Sequence, residues 1–83
     1  MVIKMNEGFI LSNKIRKAVF IEIASGEKRA ERIAKKQHLI ERAVKNAVEE
    51  LKEHGIIEEG EDGLRLTEEG IKLYAKMKGK EEL

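Results

Sequence analysis

Three side chains within five positions, Arg42, Lys45 and Asn46, carry a guanidinium, an ammonium and a carboxamide, all groups that bond to the edges of nucleic-acid bases. Arginine can engage both major-groove acceptors of guanine and asparagine can pair with adenine, while lysine reaches either a base or a phosphate. Eight further cations precede them: Lys14, Arg16 and Lys17, then Lys28, Arg29, Arg32, Lys35 and Lys36. Such groups neutralise phosphates, which fixes a protein's register on a duplex and makes its affinity depend on salt. Other chemistries lack their residues. No cysteine is present, and His38 and His54 have no cluster of ligands beside them, so neither a metal site nor a cofactor is expected. The two histidines read as a turn residue and a helix-end residue. No Ser/His/acid or Cys/His arrangement and no Gly-rich phosphate loop is visible, so the chain reads as a non-enzyme. Phe9, Phe20 and Tyr74 are the only aromatics, too few for a sheet on which single-stranded bases stack.

Apolar spacing sets the elements that must hold these groups. Val44, Ala47, Val48 and Leu51 repeat at i, i+3, i+4 and i+7, the stripe of a half-buried helix over 41–54 that turns Glu41, Arg42, Lys45, Asn46 and Glu49 outward. Gly55 ends that helix, and Ile56-Ile57 begins a β-branched strand. Before it, a helix over 28–36 buries Ala30, Ile33 and Ala34 and carries Arg29, Arg32, Lys35 and Lys36 on its other face. A first helix over 13–24, capped by Ser12, buries Ile15, Ala18, Val19 and Ile23. Residues 1–11 are apolar without a helical period and contain Gly8, so an arm or short strand is expected there. Short β runs at 56–58 and 64–66 flank an Asp62-Gly63 turn signal and read as a hairpin. Thr67 then caps a fourth helix to about residue 78, with Glu68 and Glu69 at its positive end. This helix has two apolar rows, Ile71 with Tyr74 and Ala75, and Leu73 with Met77. Leu73 and Met77 are the expected contact in a homodimer, and burial under the N-terminal segment is an equally simple account. The organisation is thus an arm at 1–11, a domain at 12–78 and a tail at 79–83.

At 83 residues the chain is one domain with a small core. Charged residues make up 40% of it, mostly Lys and Glu with few Asn and Gln, a balance seen in heat-adapted proteins. The net charge of +1 hides a division: residues 1–48 hold eleven Lys and Arg against five Glu, and residues 49–83 hold six against eleven Asp and Glu. The basic front half suits a polyanionic partner. The longest apolar stretch, 18–24, is broken by Glu22 and far too short to span a bilayer, and no signal peptide is visible, so a cytoplasmic protein without a membrane partner is expected.

Ile33-Ala34, Leu39, Val44, Leu51 and Gly55-Ile56-Ile57 in register, followed by Leu66-Thr67-Glu68-Glu69-Gly70, resemble the pattern of winged helix-turn-helix DNA-binding domains over 12–78. The chain looks most like small transcriptional regulators of the MarR and ArsR type or the minimal archaeal winged-helix proteins. The resemblance implies a mainly α fold with a small β-hairpin, a homodimer, and duplex DNA held with the third helix in the major groove. A helix about 10 to 12 Å wide fits that groove, which places Arg42, Lys45 and Asn46 at the base edges. Three positions depart from the pattern. His38 stands where a glycine of positive φ is usual, and Ile40 where Ser or Thr caps the recognition helix. The wing carries Glu58, Glu59, Glu61 and Asp62 with only Arg65 to offset them, so it is expected to stay off DNA or to face a protein. An alternative reading makes the domain a protein-interaction or assembly module that works through this acidic wing and the fourth helix.

Overall fold

The stripe of Val44, Ala47, Val48 and Leu51 is the wholly buried face of one helix, and the other elements close around it. A computed structural model describes residues 6–83, in the order α1 (Asn6–Leu11), α2 (Lys14–Ala24), α3 (Ala30–Gln37), α4 (Glu41–Glu53), β1 (Ile57–Gly60), β2 (Gly63–Leu66) and α5 (Glu68–Gly79). α2, α3 and α4 form the three-helix core, β1 and β2 the wing, and α5 closes the domain. This is the expected mainly α winged helix-turn-helix architecture with one antiparallel hairpin. α2 presents Val19, Phe20 and Ile23 to the core and touches α1, α3, α4 and β2, which explains why its apolar surface is wider than one face. Phe20 is fully buried and meets the Tyr74 ring edge-on at 5.8 Å.

α3 and α4 end in the same way. His38 takes the left-handed conformation, φ 55 and ψ 44, and the next N–H, of Leu39, donates to the Ala34 carbonyl at 2.8 Å. Gly55 does the same at φ 70, and the Ile56 N–H donates to Leu51 at 3.0 Å. His38 therefore adopts the positive φ expected at this turn.

The wing is fastened by its backbone. Its register pairs Ile57 with Leu66 and Gly60 with Gly63, so the strands are 57–60 and 63–66 and the turn is only Glu61-Asp62, tighter than expected. The Leu64 N–H donates to the Lys28 carbonyl at 2.9 Å, which ties the hairpin to the segment before α3. A second fastening lies at the start of α5, where Thr67 Oγ1 accepts from the Gly70 N–H at 3.0 Å and donates to the Gly55 carbonyl at 2.6 Å. Gly70 packs flat on the strand entry, and any Cβ there would collide with the Ile56 carbonyl oxygen.

Several expectations are corrected. Residues 6–11 form a helix rather than an arm or strand, and residues 1–5 lie outside the described residues. Burial of Ile10 and tertiary partners for the end of α1 outweigh the cost of Gly8, about 1 kcal/mol in a helix. Arg16 Nη1 and Ser12 Oγ both donate to the Phe9 carbonyl, so Ser12 closes α1 instead of capping α2. Asn13 is the cap, its Oδ1 accepting from the N–H groups of Ile15 and Arg16. α3 begins at Ala30, leaving Lys28 and Arg29 in the preceding segment. Met77 is fully buried within the monomer, so it offers no surface to a second subunit. Leu73 is half-buried against the same core, and Glu7 ties α1 to α5 through Lys76 and Lys80 at 3.1 and 3.3 Å. Burial under the N-terminal segment is thus the account that holds. The expected tail also returns, with Leu83 packed against the core.

Two glycines inside helices should respond oppositely to alanine. Gly70→Ala is expected to lose about 1 to 3 kcal/mol by overpacking on Ile56, whereas Gly8→Ala, with open space around it, should gain about 0.5 to 1 kcal/mol. Urea unfolding of both variants distinguishes them, and a shared direction would contradict the packing described.

Candidate nucleic-acid interface

α4 starts without a side-chain cap. Ile40 occupies the cap position with φ −69 and ψ 127 and supplies no acceptor, so the first N–H groups of α4 are left to solvent or to a ligand. Along the outward face, Arg42 and Asn46 are exposed, lie one turn apart, and make no hydrogen bond or ion pair among the described residues. Lys45, between them, is held by Glu41 at 2.9 Å, and that carboxylate raises its pKa above the usual lysine range.

The eight expected phosphate-binding cations do not form one face. Arg16 is the clearest correction: its guanidinium makes a two-point pair with Glu50 at 3.2 and 3.1 Å and lies 4.0 Å over the Phe9 ring. With its side chain only 17% exposed, it holds α1, α2 and α4 together instead of facing a ligand. Its partner Glu50 is held below the ordinary glutamate range by that hydrogen bond. Lys36 pairs with Glu22 at 3.0 Å and Arg32 with Glu27 at 3.3 Å, both directed back at α2 and the segment after it. Arg29 is loosely paired with Glu31 at 3.9 Å. Lys14, Lys17, Lys28 and Lys35 make no ion pair among the described residues. Exposed pairs are worth about 0 to 1 kcal/mol, so Arg29 can exchange its carboxylate for a phosphate at little cost, whereas Arg32 and Lys36 are held by glutamates whose side chains are largely covered.

Lys28, Arg29 and Lys45 meet in a cleft of about 460 Å³ between α3, α4 and the wing. The same cleft holds Lys52, which the sequence reading missed, together with Glu31, Glu49, Glu59, Glu61 and Asp62. Lys52 bonds Glu59 at 3.0 Å and approaches Glu49 at 3.6 Å, so this cation is already neutralised within the protein. Arg65 is likewise paired across the hairpin with Glu58 at 2.9 Å and is not a free wing cation. Lys14 and Lys17 border a separate cleft with Ile21 and Gln37. Spacing along the chain cannot reveal Arg16–Glu50 or Lys52–Glu59, because their partners converge only when the helices and wing pack. Among the described residues no group of three or more acidic, histidine or cysteine side chains is arranged to hold a metal ion. No helix there is long and apolar enough to cross a membrane.

No protein-family model matches the chain, and no curated protein matches its sequence.

The buttressing carboxylates give a pH dependence. Glu22 is held low by Gln37 and then Lys36, Glu27 by the Lys28 backbone N–H and then Arg32, and Glu50 by Arg16. Folding lowers these pKa values, so their stabilisation is complete above the unfolded glutamate value of about 4.3 and is lost as pH falls through the folded values. The urea midpoint should be steady near neutrality and decline below about pH 4.5, with a shallower decline in Arg16→Ala. A midpoint unchanged down to about pH 3 would contradict these contacts. At the other end of the interface, Ile40→Ser restores a cap and should raise stability by about 0.5 to 1 kcal/mol, read from the same unfolding curves.

Proposed function

We propose that the chain binds duplex DNA through the first two turns of α4 and acts as a small non-enzymatic transcriptional regulator. One observation carries the reading: Arg42 and Asn46 stand exposed, without partners among the described residues, one turn apart, on a helix whose opposite face is wholly buried. So firmly packed a helix fixes the backbone positions from which the two side chains reach, and their chemistry suits bidentate bonding to guanine and adenine. Lys28 and the loosely paired Arg29 share a cleft with Lys45 on α4 and, with Lys35 on α3, supply phosphate contacts that set its register. The wing's carboxylates limit the contact. Glu59, Glu61 and Asp62 line the cleft that also holds Lys28, Arg29 and the rear of α4, so the duplex is engaged from the front of the helix and the wing's carboxylates weaken the phosphate contacts of those two cations.

In the competing assembly-module reading the wing and α5 would be the working surface, with Ile71 exposed on α5 and Met77 internal. The homodimer rests on the family resemblance alone, because the α5 row that motivated it is part of the monomer's core.

Fluorescence anisotropy with a labelled random-sequence duplex, followed by a selected site, tests the reading. Binding should weaken steeply as salt rises. Arg42→Ala should cost about 1 to 3 kcal/mol and relax choice at one base pair, whereas Lys28→Ala should weaken all duplexes alike and reduce the salt slope by about one. Absence of binding at low salt would overturn the DNA reading, and equal, sequence-independent losses from both variants would remove the base-reading role of Arg42.

A further inference from the structure

Ile40 is the most exposed large apolar side chain among the described residues, at 76% against 57% for Ile71 and 39% for Leu11. It is not among the residues packed on the core. Single exposed apolar residues are ordinary on protein surfaces, but the position of this one is costly. At a helix start, Ser, Thr, Asp or Asn would bond to the first N–H groups. Asn13 and Thr67 make those bonds at the starts of α2 and α5, while α3, with Arg29 at its cap position, begins without one. At α4 that stabilisation is forgone for an aliphatic group. A β-branched side chain has few rotamers, so Ile40 presents a fixed apolar surface at the leading end of the helix, two residues before Arg42.

The edges of base pairs in the major groove are hydrogen-bonding groups with one apolar exception, the 5-methyl group of thymine. We propose that Ile40 is a specificity-determining residue that selects thymine by burying its side chain against that methyl group, beside the base contacted by Arg42. The assignment rests on the duplex-DNA reading of α4 and deepens it. The front of the helix then carries a guanidinium for guanine, a carboxamide for adenine and an aliphatic group for thymine, so its preferred site is mixed in sequence and includes a thymine next to the guanine.

The test uses the full 83-residue chain and duplexes selected by it from a random-sequence pool at low salt. Each thymine of the selected site is replaced in turn by uracil, which pairs identically and lacks only the methyl group. At one thymine the wild type should bind the uracil duplex about fourfold more weakly, the effect of removing one buried methyl group. Ile40→Ala and Ile40→Ser should bind the two duplexes alike, and thermal unfolding should show both variants folded, the serine variant being the more stable. Selective binding in which no thymine shows a methyl effect, or in which Ile40→Ala retains it in full, overturns this assignment and leaves the DNA reading standing. Retention of no duplex at low salt overturns the DNA reading and this assignment with it.

Discussion

Everything in this domain depends on burying one face of α4. Val44, Ala47, Val48 and Leu51 occupy the centre of a core that so short and so charged a chain can barely fill, and α2, α3, β1 and the wing are arranged to exclude water from them. The same helix cannot be buried on its other face, because Glu41, Arg42, Lys45, Asn46 and Glu49 would lose their hydration without partners. A rigid helix with a polar face held out to solvent is therefore a direct result of the packing. Function can be placed on that face without further structure.

Charge is distributed so that the core helices are braced without consuming the front of α4. Arg16 bonds Glu50 and covers Phe9, which in turn stacks on His54 at 3.7 Å, so α1 is locked to the far end of α4. Lys36 and Arg32 bind α3 to the end of α2 and the segment after it through Glu22 and Glu27. Lys52 binds the rear of α4 to the wing through Glu59. These contacts divide α4 into a rear half in which Glu49, Glu50 and Lys52 are paired within the protein and a front half in which Arg42 and Asn46 have no partner among the described residues. Salt weakens the exposed pairs, whereas the two-point Arg16 pair, whose guanidinium is largely covered, is the more persistent.

Much of the fold was legible because it is local. The 3.6-residue period of Val44 to Leu51, the left-handed turn at Gly55 and the Thr67 cap with two following glutamates are each specified by neighbours in sequence, and each is present. What was not legible is tertiary. Gly8 argues locally against a helix, yet burial of Ile10 and the bond from Arg16 to the Phe9 carbonyl outweigh it. Met77 looks like surplus apolar surface until α1 is placed over α5. For the candidate site the same division holds: the outward face of α4 follows from its period, but the assignment of cations to carboxylates follows from the packing. Arg16 could not be told from Lys17 by sequence, although one is an internal brace and the other borders an open cleft.

The central claim is that the front of α4, and not the wing or α5, is the surface that engages a duplex. Backbone amide NMR of the isotope-labelled chain, titrated with a short duplex at low salt, tests it most directly. The account predicts that shifts concentrate at residues 40–46 with smaller changes at 28–29 and 35, and that 58–65 and 71–79 stay in place. Shifts centred on the wing or on α5, or a spectrum unchanged at saturating duplex, would contradict it.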